Sequence, residues 1–161
     1  MPPTAATSPF PEPSATGKDG AYRSLPVNIE AEKALLGAIF VDNRAYEKVS
    51  EYLRPAHFAI PEHGRIYEAC GKLIEKGQIA NPVTLKGFFE TDEGLAGIGG
   101  PAYLVDLAAS AVLIINAAEY GRIVYDLHLK RELIGLGEDV VNRAFAGEVD
   151  ESATDQIEMA E

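Results

Sequence analysis

The longest apolar pattern in the chain, Ile123, Val124, Leu127, Leu133, Ile134, Val140, Val141 and Phe145, recurs at three- and four-residue intervals over a stretch without proline. That spacing puts the apolar side chains on one face of an α-helix and on no face of a strand. A helix that long has a wide apolar stripe needing cover, either from the rest of its own chain or from another molecule. Upstream the same intervals recur in shorter stretches, and alternation of apolar and polar residues beyond four positions is almost absent, so sheet has little support. The predicted class is all-α.

Punctuation divides the remainder. Residues 1–24 hold Pro2, Pro3, Pro9, Pro11 and Pro13 among small polar residues, with too little apolar surface to offset chain entropy, and are expected to be disordered. The folded region starts near Pro26. A first helix is predicted from Asn28 as N-cap, with Glu30 and Glu32 in its first turn and a buried stripe of Ile29, Leu35, Leu36, Ile39 and Phe40. A second follows Asp42 and Asn43, carrying Tyr46, Val49, Tyr52 and Leu53 until Pro55. Pro61 opens a third, with Ile66, Cys70, Leu73 and Ile74 on one face and Gly77 as a left-handed cap.

Beyond it, Asn81 and Pro82 form a turn, and Thr84 is expected to cap a short helix bearing Leu85, Phe88 and Phe89, which the glycines from Gly94 to Gly100 end. Pro101 starts a helix with Tyr103, Leu104, Leu107 and Ala108. Asn116 and Glu119 resemble a capping box at the start of the long helix, in which Gly135 and Gly137 predict a kink, a break or a close helix contact. Ser152 and Asp155 are placed to cap a last helix. These readings give a globular helical subdomain over 25–115, a compact orthogonal bundle of about six helices. The long helix and the start of a helical hairpin occupy 116–161.

Function classes narrow next. The chain holds 14 Lys plus Arg against 25 Asp plus Glu, a formal charge of −11. Phosphate-backbone binding rests on clustered cations, so direct contact with nucleic acid is disfavoured. Gly147 to Glu161 carries six carboxylates and no Lys or Arg, either as a solvated helix face or as a dock for a basic partner. Cys70, the only cysteine, has the spacing of a core residue and rules out an internal disulfide. The absence of an apolar run of about 18 residues and of a signal-peptide pattern points to a soluble cytoplasmic protein.

A search for chemistry finds little. Gly17-Lys18-Asp19 and Gly71-Lys72-Leu73 lack the Gly-Lys-Ser/Thr sequence with which a P-loop surrounds phosphates, and Pro101 removes an amide from the glycine run before it. His57, His63 and His128 lack the i, i+4 spacing of a helical zinc site, and His63 is expected to have a structural hydrogen-bonding role. Glu30 and Glu32 face different ways on a helix. No catalytic residue, metal site or cofactor site is expected in these residues.

Several collinear segments resemble the N-terminal domain of the hexameric replicative DNA helicase, the DnaB family. They are Pro26-Val-Asn-Ile-Glu-Ala-Glu32 with Leu35-Leu36-Gly37, Asp42-Asn-Arg-Ala-Tyr46, His57-Phe58, and Pro61 and His63 with Arg65-Ile-Tyr-Glu-Ala69. Further on come Pro82-Val-Thr-Leu85, Gly99-Gly100-Pro-Ala-Tyr-Leu104, Tyr120-Gly-Arg-Ile-Val124 and Lys130-Arg-Glu-Leu133. The resemblance covers about Pro26 to Phe145, and the order of the segments makes it specific.

The resemblance implies a helical subdomain followed by a two-helix hairpin, through which such domains pair, the pairs forming a collar on the hexamer. It implies docking of the helicase-binding C-terminal domain of primase, contact with a helicase loader in some members, and a separate motor domain that binds ATP and Mg and contacts DNA. Gly121, Gly135 and Gly137 depart from the helix formers usual in the first hairpin helix, and Glu161 falls within the second. The apolar residues Ile134, Val141 and Phe145 are candidates for contact with another subunit or partner, or for ordinary core packing. Lys130 and Arg131 are candidates for pairing with an acidic partner surface, or for a solvated face. The competing classes are a nucleic-acid-contacting accessory domain, a helical scaffold unrelated to replication, and a small hydrolase or metal enzyme with a polar pocket.

Overall fold

The computed structural model describes residues 24–90, 92–111, 114–146 and 152–161. The expected disorder of the Pro-rich tail, apart from Ser24, and the first part of the acidic C-terminal stretch lie outside these residues. Regular structure among the described residues is helical throughout: α1 (Ile29–Val41), α2 (Arg44–Glu47), a 3-10 turn (Pro55–His57), α3 (Pro61–Glu75), α4 (Pro82–Phe89), α5 (Glu93–Gly97), α6 (Pro101–Ala109), α7 (Ile114–Ala146) and α8 (Ala153–Ala160). The all-α class expected from the periodicity is the class observed.

Local chemistry accounts for most boundaries. The Asn28 side chain accepts the Ala31 N–H at 2.9 Å and starts α1. Helix α3 begins at Pro61 and ends on Gly77, whose φ of 73° allows the Gln78 N–H to reach the Leu73 carbonyl and the Gly77 N–H to reach that of Ile74. This is the Schellman closure that satisfies the last carbonyls of a helix. Helix α2 is shorter than expected, because past Glu47 the backbone bonds mix i−3 and i−4 partners and the segment to Tyr52 becomes a run of turns. Val49 and Leu53 are nonetheless buried.

Other boundaries differ from expectation. Asn81, not Thr84, caps α4: its side chain accepts the N–H groups of Val83 and Thr84, and the Thr84 hydroxyl accepts the Asn81 N–H in return. The glycine-rich stretch before Pro101 forms the one-turn helix α5, capped by Asp92, before Gly99 and Gly100 adopt positive φ. Helix α7 starts at Ile114, so Asn116 lies inside it rather than at its cap. Ile29, at the first position of α1, is 43% exposed instead of buried.

One apolar cluster runs through the molecule up to Val124 of α7. At its centre α1 and α6 approach backbone to backbone, since a Cβ on Gly37 would stand 2.1 Å from the Leu107 carbonyl oxygen. On α7, Gly121 instead makes room for side chains, since a Cβ there would stand 2.4 Å from Val49 Cγ1 and 2.7 Å from the Tyr52 hydroxyl. Cys70 is buried in the core, and burial pushes its thiol up to about 12, which keeps it protonated.

Candidate interaction surface on the projecting helix

Helix α7 changes character along its length. Its first half is part of the core: Ala117 and Val124 are buried, and the Tyr52 hydroxyl donates to the Ala118 carbonyl at 3.2 Å. The helix then continues without interruption through Gly135 and Gly137, neither of which has an atom within 4 Å of an added Cβ. The predicted break or close contact there is absent. Over 33 residues the helix is about 50 Å long, so its second half extends past the globular head.

That second half is apolar and uncovered. Leu133, Ile134, Leu136, Val141 and Phe145 are all exposed, Phe145 to 89% against 2% for Val124 on the same helix. Helix α8, capped by the reciprocal Ser152–Asp155 pair expected from the sequence, lies against this half. Gln156 Nε2 donates to the Arg143 carbonyl at 3.3 Å, and the Arg143 guanidinium meets Met159 Sδ at 3.1 Å. Ile157 and Met159 still face outward, extending the apolar surface.

Of the five residues singled out from sequence, Ile134, Val141 and Phe145 lie on this open face. Lys130 pairs with Asp126 at 3.1 Å, an exposed i, i+4 contact worth well under about 1 kcal/mol. Arg131 is engaged within the chain: its Nη1 donates to the Pro26 carbonyl at 3.0 Å and its Nη2 to the His57 carbonyl at 2.8 Å. Leu133, Leu136, Ile157 and Met159 were not among the five. Leu133 already belonged to the apolar pattern visible in the sequence, whereas Leu136, two residues from Ile134, lies on the other side of the helix and outside that pattern.

The structural hydrogen-bonding role expected of His63 is observed, in a buried polar chain whose other members, Glu32 and Tyr103, were not identified from sequence. Glu32 and His63, both fully buried, meet at 2.9 Å through His63 Nδ1, and the Glu32 carboxylate also accepts the N–H groups of Ala59 and Ile60. His63 Nε2 lies 2.5 Å from the Tyr103 hydroxyl. An imidazole that donates through Nδ1 to the carboxylate and accepts the Tyr103 O–H satisfies every partner while neutral. Burial, then the charge of Glu32, raises the pKa of Tyr103, in keeping with a hydroxyl that retains its proton. Because the imidazole is sealed from solvent, the chain ties α1, α3 and α6 together rather than offering a reactive atom. Its signal was spacing: Glu32 shares the i, i+3, i+4 stripe of Leu35, Leu36 and Ile39.

Elsewhere, a groove of about 740 Å³ lies between the α2 turn and α3, lined in part by Tyr46, Arg54, Tyr67, Glu68 and Lys72. Lys72 pairs with Glu68, and Arg54 donates to backbone carbonyls. Neither Glu32 nor His63 lines this groove. Among the described residues no group of three or more His, Cys, Asp or Glu is arranged to hold a metal ion, and no helix is long and apolar enough to cross a membrane.

Comparison with known proteins gives this architecture its context. Residues 24–126 match the family described as DnaB-like helicase N terminal domain. The replicative DNA helicase DnaB of Rickettsia prowazekii is 47% identical over 139 residues, 86% of this chain. The chain belongs to the DnaB-like helicase N-terminal domain family. An alignment of that length in this chain extends into the exposed half of α7. DnaB of Geobacillus stearothermophilus is 33% identical over 123 residues. The crystal structure of the N-terminal domain of DnaB helicase from Mycobacterium tuberculosis superposes with a TM-score of 0.76 at 31% identity, covering 85% of this chain and 95% of that one. A second structure, of a DnaB-like replicative helicase and its interactions with primase, has a TM-score of 0.61 at 27% identity, covering 83% of this chain and 32% of that one. The chain spans 29% of the length of the Rickettsia prowazekii relative.

Proposed function

We propose that this DnaB-like domain is an assembly and recruitment module of an ATP-dependent replicative DNA helicase. In this reading it pairs with copies of itself through the α7–α8 hairpin, contributes to a collar on a hexamer, and docks the C-terminal domain of primase, with a helicase loader as a further partner. ATP and Mg bind in a motor domain of the parent protein, and DNA is contacted through that parent. The observation that carries the proposal is the open apolar face of Ile134, Val141 and Phe145 on a helix about 50 Å long. Exposing such a face to water costs free energy, and burying it against a complementary surface lowers it. Support also comes from relatives named as replicative helicases and from a structural neighbour described with primase. The formal charge of −11 favours protein partners over the phosphate backbone.

The test is calorimetric titration of the chain with the helicase-binding domain of primase from the same cell, with mass followed by light scattering. Saturable binding that Ile134→Asp or Phe145→Asp weakens at least tenfold, in a chain that stays folded, is the expected result. A folded monomer that neither self-associates nor binds primase overturns the proposal.

A further inference from the structure

Arg131 stands where α7 passes from covered to uncovered. Its guanidinium joins two carbonyls far apart in sequence, Pro26 in the extended run before α1 and His57 at the end of the 3-10 turn, at 3.0 and 2.8 Å. One planar fork therefore fastens three segments that the helical ladders leave unconnected. Upstream along α7 the ties to the head include the Tyr52 hydroxyl on the Ala118 carbonyl, the edge contacts of Tyr125 with the Tyr52 ring at 5.6 Å and the His57 ring at 5.2 Å, and the His57 ring against His128 at 4.4 Å. The Arg131 clamp is the furthest along the helix of these. Beyond it, Leu133 and Ile134 are already exposed.

We propose that Arg131 is a positioning residue that fixes the direction in which the exposed half of α7 leaves the head, rather than a contact for a partner. The geometry stands by itself, while its consequence for partner binding rests on the docking role proposed for that face. A helix is a rigid lever, and Phe145 lies about 20 Å beyond Arg131 along the axis. A tilt of about 20° at the clamp displaces Phe145 by about 7 Å over that length, enough to take an apolar face out of register with a rigid partner. Lysine cannot replace the fork, because its single ammonium lacks the planar pair of donors that spans two fixed carbonyls.

The experiment places spin labels on the full chain at Lys48→Cys in the head and Glu138→Cys on the projecting helix, both exposed positions, while Cys70 stays buried. Labelled chain is diluted into unlabelled chain so that only distances within one molecule are read. Pulsed electron-spin measurements then compare Arg131 with Arg131→Met, which keeps the stem, and Arg131→Lys, which keeps the charge. A distance distribution at least twofold broader in Arg131→Met, and broader than native in Arg131→Lys, is expected. A merely stabilising arginine lowers the unfolding temperature and leaves the width of the folded-state distribution unchanged. Unchanged width in Arg131→Met, or in Arg131→Lys should the methionine variant not fold, overturns the proposal. The distances are read without any partner. Broadened distributions in a chain that never binds primase therefore sink the docking role and leave the positioning role intact.

Discussion

Two glycines on the same helix mark the difference between the halves of this molecule. At Gly121 an added Cβ would press into Val49 and the Tyr52 hydroxyl, whereas at Gly135 it would meet nothing within 4 Å. In the head, Leu35, Leu36 and Ile39 of α1, Ile66 of α3, Leu104 and Leu107 of α6 and Val124 of early α7 are sealed, and even a carboxylate, Glu32, is enclosed with all its oxygens bonded. In the projecting half, Leu133, Val141 and Phe145 are as apolar as anything in the core and lie open. The apolar period establishes a helix and its preferred face. Whether the chain itself covers that face depends on topology, and past Arg131 it is α8 that lies against the helix.

The largest test of this contrast is truncation on either side of it. Leu36→Ala removes a fully buried side chain and is expected to cost about 3 kcal/mol, with a cavity left in the head. Phe145→Ala should cost less than about 0.5 kcal/mol in the isolated monomer, because an exposed residue has little packing to lose. Urea unfolding followed by circular dichroism measures both. A comparable cost for Phe145→Ala would mean that its face is covered within the chain, and the contrast fails.

The next test concerns the polar chain inside the head. Glu32→Ala leaves the N–H groups of Ala59 and Ile60 and the Nδ1 of His63 without their acceptor, at an expected cost of about 2–3 kcal/mol. Tyr103→Phe removes one outer partner and should cost about 1 kcal/mol. Equal costs for the two substitutions would show that the tie depends on the hydroxyl as much as on the carboxylate.

Features set by neighbours in sequence were legible. The Asn28 cap, the Pro61 start and Gly77 close of α3, the Pro101 start of α6 and the Ser152–Asp155 box all depend on side chains within a few residues. Asn81 was misread as a plain turn residue because Thr84, three residues on, has equally good capping chemistry; only the backbone angles decide which of the two caps and which reciprocates. Asn116 failed as a cap because the helix could begin earlier, at Ile114. The interface candidates divided along the same line. Exposure of Ile134 and Phe145 follows from the length of α7, but the clamp on Arg131 joins partners 105 and 74 residues away, a relation no local pattern contains.

A smaller effect, of opposite sign, follows from the open glycines. Gly135→Ala and Gly137→Ala each restrict the unfolded chain and meet no neighbour, so each should stabilise by up to about 1 kcal/mol. Gly121→Ala should destabilise, although it makes the same change of propensity on the same helix. Hydrogen exchange of amides between Leu133 and Val141 provides the readout, slower in the first two variants. A stabilising Gly121→Ala would show that α7 can shift away from Val49 at no cost, and the wedge would lose its meaning.

The smallest effect belongs to the boundary itself, at His57. Its Nδ1 accepts the Arg54 N–H at 2.9 Å, a bond that protonation of that nitrogen abolishes. Burial, followed by His128, Arg54 and Arg131, lowers its pKa below 6.5, with Glu132 opposing the shift. Tyr125, from the same helix as His128, meets the ring edge-on at 5.2 Å. The folded chain therefore holds fewer protons at this site than the unfolded chain between the folded value and 6.5, and stability rises with pH across that window. The contribution is complete above 6.5 and is lost as pH falls toward and through the folded value. Asparagine at this position can still accept the Arg54 N–H but does not titrate, so His57→Asn should flatten the dependence measured by urea unfolding between about pH 7.5 and 5. Spin labels spanning the head and α7 sharpen the result. Broadening in acid before the head unfolds places the proton's effect at the clamp, whereas simultaneous loss of both places it in the core.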